Sequence, residues 1–225
     1  MVYILLNYWE DNNFLKALEH TKAENMTEKN KFIESSYHKF KNAITEINDD
    51  ATKDIYAVSF WYFEEDDDLR FPTILVSYNT NANYKEQILK ASNNKEAKWN
   101  YAYWLQDFIG QIGGREDELL KNWFKSTPYF YSENENEKMF ENNEIFEKII
   151  EQGSEFCEDF IEEIILLTKR LFSEKVILNK FGKNIPILVH ELEYGDGSTD
   201  LTLNSNPKGV ADEFIEWVQN PRQIL

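Results

Sequence analysis

Two runs of β-branched and aromatic residues fix the centre of any fold this chain can adopt. Residues 55–63 read IYAVSFWYF and residues 71–80 read FPTILVSYNT. Between them lies a polar loop with five consecutive acids, Glu64, Glu65, Asp66, Asp67 and Asp68. Two such runs joined by a polar loop form an antiparallel hairpin. Apolar residues occupy nearly every position of both runs, so both faces of each strand are at least partly covered. Pro72 has no backbone donor and belongs at a strand start or on an edge.

Helical periodicity flanks the hairpin. Over 28–48, Phe32/Ile33, Tyr37, Phe40, Ile44 and Ile47 recur three or four residues apart, with Thr27 as N-cap and Asn48-Asp49-Asp50 as a stop. A short helix is expected over 13–20, with Phe14, Leu15 and Leu18 inward. Another is expected over 83–91 with a stripe of Tyr84, Ile88 and Leu89, and a third over 116–124 with an acidic first turn. Residues 133–163 read as two helices broken at Gly153-Ser154, with Phe140, Ile145, Phe146, Ile149 and Ile150 as the first inward stripe. Residues 185–194 read as a strand, paired with 199–203 in a second hairpin, and Asn206-Pro207 opens a last helix. The expected class is α+β, an antiparallel sheet built from hairpins and covered by several helices. One domain over 1–225 is expected, with a candidate sub-division near 128–137.

Charge narrows the function classes. The chain carries 24 Lys+Arg against 41 Asp+Glu, a net charge of −17. Nucleic acids and anionic membranes both demand clustered Lys and Arg, so neither is expected as a partner. The acids concentrate in 133–163, which holds twelve of them against two lysines. A single cysteine, Cys157, excludes an internal disulfide framework. The start MVYILLNYWED lacks the basic residues and cleavage site of a secretion signal, and no apolar stretch approaches the ~18 residues that span a bilayer. A cytoplasmic location is the expectation.

Patterns that carry chemistry are sparse. Gly113-Gly114 belongs to no phosphate-binding motif, and the three histidines at 20, 38 and 190 are too scattered for zinc. His190 reads as a packed, hydrogen-bonded strand residue. Glu191 and Glu193 share the opposite strand face, where they read as a solvated edge or as an acid/base pair. The 64–68 run lacks the alternation and glycine of a calcium loop. It reads as a solvated tip or as a docking element for a basic protein. Trp99, Tyr101, Tyr103, Trp104 and Phe108 form an aromatic cluster; without a basic groove beside them, packing is favoured over base stacking. Cys157 sits among Glu155, Glu158 and Asp159, which disfavour a thiolate. No catalytic residue, metal site or cofactor is expected.

Three segments together resemble a family. They are Ile55-YAVSF with Leu75-VSYNT, then Lys98-WNYAYW, then Leu203-NSNPKGVADEF. The pattern is similar to an uncharacterised bacterial domain-of-unknown-function family that includes immunity proteins of polymorphic toxin systems. Lys98 stands where that pattern carries Arg, and the 203–207 segment departs by two residues. The resemblance implies a non-catalytic protein that binds and neutralises a cognate toxin, a nuclease among the candidates. An acidic surface would then imitate phosphate charge, with Glu64–Asp68 and the acidic face of 133–163 steering the partner and Trp61 and Tyr62 as anchors. The alternatives are a carboxylate-dependent hydrolase using Glu191 and Glu193, and a general interaction module.

Overall fold

The computed structural model describes residues 26–192, 194 and 196–219. The expected 13–20 helix lies outside them. Helix α1 (Glu28–Thr45) opens on Thr27, whose hydroxyl accepts from the Asn30 amide at 3.2 Å, and buries Phe32, Tyr37, Phe40 and Ile44. The short α2 (Asp49–Thr52) follows. Strands β1 (Ile55–Glu64) and β2 (Pro72–Thr80) then form the expected antiparallel hairpin, with Phe60 opposite Val76. Pro72 is the first residue of its strand.

Two short helices, α3 (Asn81–Gln87) and α4 (Asn94–Trp99), lead to β3 (Gly110–Gly113), which pairs antiparallel with β2. Leu89 falls outside α3 and is exposed, so the expected 83–91 stripe is not formed. Gly113 and Gly114 have positive φ and turn the chain sharply out of β3, and a Cβ on Gly113 would lie 2.2 Å from the Pro72 carbonyl oxygen. Helix α5 (Glu118–Lys125) starts on Asp117, whose carboxylate accepts from the Leu119 and Leu120 amides. Then come α6 (Glu133–Lys138), α7 (Asn143–Ser173) and α8 (Val176–Phe181). Helix α7 is continuous through Gly153-Ser154, where the sequence suggests a break. Gly153 is there for close approach: a Cβ would lie 2.6 Å from Leu69 Cβ.

The C-terminal third departs from expectation. Strand β4 (Ile187–His190) pairs parallel with β1, not with a hairpin partner. The sheet order among the described residues is β3-β2-β1-β4, mixed but mostly antiparallel, in an α+β fold. Residues 199–203 belong to a helix, α9 (Asp196–Ser205), which seals the outer edge of β4 with side chains. The Thr202 hydroxyl accepts from the Val189 amide and donates to the Val189 carbonyl, at 3.1 and 3.0 Å. Asn206 accepts from the Ile187 amide at 2.9 Å and donates to its carbonyl at 2.7 Å. Asn206 is therefore a substitute for a neighbouring strand, not an N-cap, and the last helix, α10, begins only at Asp212 (Asp212–Gln219).

Strand alternation divides the core. Val58, Phe60 and Tyr62 face α1, α5 and α7, with Phe40 stacked on Phe60 at 4.3 Å between ring centroids. Ala57 and Leu188 face a second cluster of Trp99, Tyr101, Trp104, Phe214 and Trp217. Trp99, Tyr101 and Trp104 are thus packing residues. Tyr131, inside the expected sub-division near 128–137, is buried in the first cluster. Among the described residues no helix is long and apolar enough to cross a membrane.

Candidate functional site

The hairpin tip is not a freely solvated loop. Asp66 and Asp67 hold left-handed backbone conformations, φ 58 and 56°, which Asp tolerates better than most side chains. Asp68 then turns inward. Arg70 donates to it twice, Nε to Oδ1 at 2.8 Å and Nη2 to Oδ2 at 2.6 Å. Its remaining Nη1 donates to Glu133 Oε2 at 2.6 Å. Burial opposes the charge on Arg70, but the hydrogen bonds to Asp68 and Glu133 outweigh it and hold the guanidinium protonated more firmly than usual. Arg115 clamps the same loop: its amide donates to Glu65 Oε2 at 2.8 Å and its Nη2 to Asp66 Oδ2 at 3.1 Å. Two of the four arginines of the chain therefore offset part of the charge of the five-acid run. Their scarcity in a lysine-rich chain is the signal that marks them.

Alternation also separates the two expected anchors. Tyr62 points into the main core against Phe160 and is only 6% exposed, so it cannot reach a partner. Trp61 points to the other face. It is half-buried, packed between Phe63 at 4.9 Å and the exposed Phe108 at 6.0 Å with the rings tilted.

On one side of the tip a cleft of about 250 Å³ separates the loop from α6 and α7. Asp66, Asp67 and Asp68 line one wall, and Met139, Ile149 and Ile150 the other. Ile150 and Phe146, expected inside, are exposed. Beside them runs a ridge on α7: Glu144, Glu147, Glu151, Glu155, Glu158 and Glu162, at steps of three or four, all exposed. That spacing keeps them on one helix face over roughly 27 Å. None of the six makes an ion pair among the described residues, whereas Glu163, off the ridge, binds Lys29 at 2.8 Å. The tip acids and Ile150 share the cleft, and the ridge lies on the same helix as Ile150.

Other expected groups are structural. His190 is fully buried; its Nε2 lies 2.8 Å from Ser59 Oγ and its Nδ1 2.7 Å from the Glu191 carbonyl. The carbonyl must receive a proton, so Nδ1–H donates there and Nε2 accepts from Ser59. Tyr101 and Tyr194 enclose the ring at 4.8 and 5.2 Å. Burial lowers its pKa from 6.5 to about 4. Above pH 6.5 the ring is neutral whether the chain is folded or not. Below that the unfolded chain takes up a proton that the folded protein refuses until about pH 4. Stability therefore falls as pH drops through this window, by roughly 2 kcal/mol at pH 5. Chemical unfolding of His190→Asn at pH 7 and pH 5 should show a loss smaller by that amount, and an unchanged loss would assign the acid sensitivity to other groups.

Glu191 is exposed and Glu193 lies outside the described residues, so the paired-carboxylate arrangement has no described geometry. Cys157 is buried with its thiol donating to the Leu69 carbonyl at 3.3 Å; burial, aided by Glu64, Asp68 and Glu158, pushes it up to about 12. No group of three or more metal-ligating side chains occurs among the described residues. Comparison with known proteins finds no matching family model, no matching curated protein and no matching solved structure.

Proposed function

We propose that this protein is a non-catalytic binding protein that captures and occludes a cationic protein partner, in the manner of an immunity protein acting on a toxin. The observation that carries the reading is the unpaired glutamate ridge of α7. Like charges three or four residues apart each cost a helix about 0.2–0.5 kcal/mol. A partner that supplies the counter-charge recovers that cost and is drawn in at long range. Exposed Phe146 and Ile150 beside the ridge add the apolar contact that holds a complex once formed. A nuclease, whose nucleic-acid cleft is basic, fits this chemistry.

The test uses the product of the gene adjacent to its own as the partner. Its association rate should fall at least about tenfold between low and high salt. Glu147→Gln, Glu151→Gln, Glu155→Gln and Glu158→Gln combined should slow association comparably and abolish protection of cells expressing the partner. Ile150→Ala should mainly speed dissociation. A tight complex formed at a salt-independent rate, unaffected by the four substitutions, would overturn the proposal.

A further inference from the structure

A second concavity, of about 390 Å³, lies across the 65–71 loop from the acidic cleft. Its charge is opposite to the net charge of the chain. Arg70, Arg115, Lys121 and Lys125 line it against a single carboxylate, Glu133. The remainder of its wall is aromatic: Phe124 and Tyr131 pack edge to face at 5.2 Å, and Phe130 stands exposed at the mouth, 5.4 Å from Phe124. Arg115 lies over the face of Phe71 at 4.4 Å, a contact that fixes the plane of its guanidinium.

The cations are arranged to exchange partners. Arg70 is 5% exposed, and Asp68 holds two of its donors from behind. The third, Nη1, faces Glu133, whose side chain is 65% exposed. A solvent-exposed carboxylate thus occupies the position a bound anion would take. Lys121 and Arg115 pair with Glu118 and Asp66, both 72% exposed, and such pairs are weak and readily replaced. Lys125 makes no ion pair among the described residues and is exposed.

We infer that this cleft binds a small aromatic anion, a flat ring bearing a phosphate or carboxylate. The ring lies among Phe124, Phe130 and Tyr131. The anionic head displaces Glu133 from Arg70 Nη1 and is received by Arg115, Lys121 and Lys125. The volume falls within the range of small-molecule pockets, and guanidinium groups match both head groups through paired donors. The site shares no residue with α7 and binds without any protein partner, so its test is independent of the proposed function.

Calorimetric titration of the full chain at low salt, with phenyl phosphate, benzoate, inorganic phosphate and phenol as probes, decides the matter. Phenyl phosphate or benzoate should bind at least about tenfold more tightly than inorganic phosphate and phenol, because ring and head group both contribute. The tighter of the two identifies the preferred head group. Lys121→Gln with Lys125→Gln should weaken it about tenfold, and Phe130→Ala, at an exposed position that leaves the fold intact, several-fold. Glu133→Gln should instead tighten it several-fold, since the competing carboxylate is gone. Three results would each overturn the inference: neither aromatic anion binding, inorganic phosphate binding as well as they do, or affinity indifferent to the lysines and to Glu133.

Discussion

Replacing Arg70 with Ala lowers the unfolding free energy by about 3–5 kcal/mol, measured by denaturant titration. The size follows from what is left behind. Asp68 has a side chain only 11% exposed, and both its oxygens take their charge-assisted bonds from Arg70. Without the guanidinium, a carboxylate stays largely out of water with no cation in contact except Arg115 Nη2 at 3.8 Å. Packing is lost as well, because Arg70 also lies over Phe71 and Tyr131 at 5.2 and 5.8 Å. The pair Arg115–Asp66, exposed on both sides, contributes under about 1 kcal/mol. Converting both partners, Arg70→Met with Asp68→Asn, should restore most of the loss, since the penalty is that of the orphaned charge. A loss below about 1 kcal/mol for Arg70→Ala would mean that the tip holds its shape without the buried pair.

Phe160→Ala should be comparably damaging, at about 3–5 kcal/mol. Phe160 is fully buried where α7 meets α1, α5 and β1, with its ring 5.8 Å from Phe32, 6.2 Å from Tyr62 and 6.5 Å from Trp123. It also lies beneath the turn after β3, where Gly113 approaches its ring. Neighbours on four separate elements cannot all close over the gap, so the cavity persists. The denaturant midpoint should fall with the slope unchanged, since the surface exposed on unfolding is nearly the same. A loss under about 1.5 kcal/mol would show that the helices collapse into the space.

The parts of the fold that were legible in the sequence are those where a single pattern decides. Helix α1 has a clear helical period and the β1–β2 hairpin two apolar runs joined by a polar loop, and both formed, although α1 ends at Thr45 and Asn48, expected in its stop, caps the short α2 instead. The packing role of His190 was legible from its apolar neighbours. The last third was not. The run from Thr199 to Leu203 suits a strand or a helix equally, and the tie is broken by Ser198, Thr202 and Asn206. Spaced four apart, they serve the exposed edge of β4 from one side of a helix. Only a strand that already lacks a neighbour reveals that use. Gly153 misled for a similar reason: its missing side chain serves Leu69 of a distant loop, not a bend in its own helix.

The site divides in the same way. The acidic ridge was readable as charge in 133–163, and its alignment follows from helical spacing. The fate of the 64–68 run depends on Arg70 and Arg115, one of which arrives from beyond β3. Local sequence therefore shows an excess of charge at a point where two arginines of the folded chain offset part of it. Tyr62 and Trp61 are adjacent in sequence and opposite in space, so only one of them remains near the surface.

The parallel pairing of β4 with β1 also orders events during synthesis. Residues 55–80 leave the ribosome early and can zip into their hairpin, but the far side of β1 waits for Ile187–His190. Until then a nascent chain displays an open, apolar strand edge, the kind of surface that recruits other chains. Completion of the sheet is non-local and correspondingly slow. The side chains of α9, arriving after β4, then cover its outer edge against other copies of the chain.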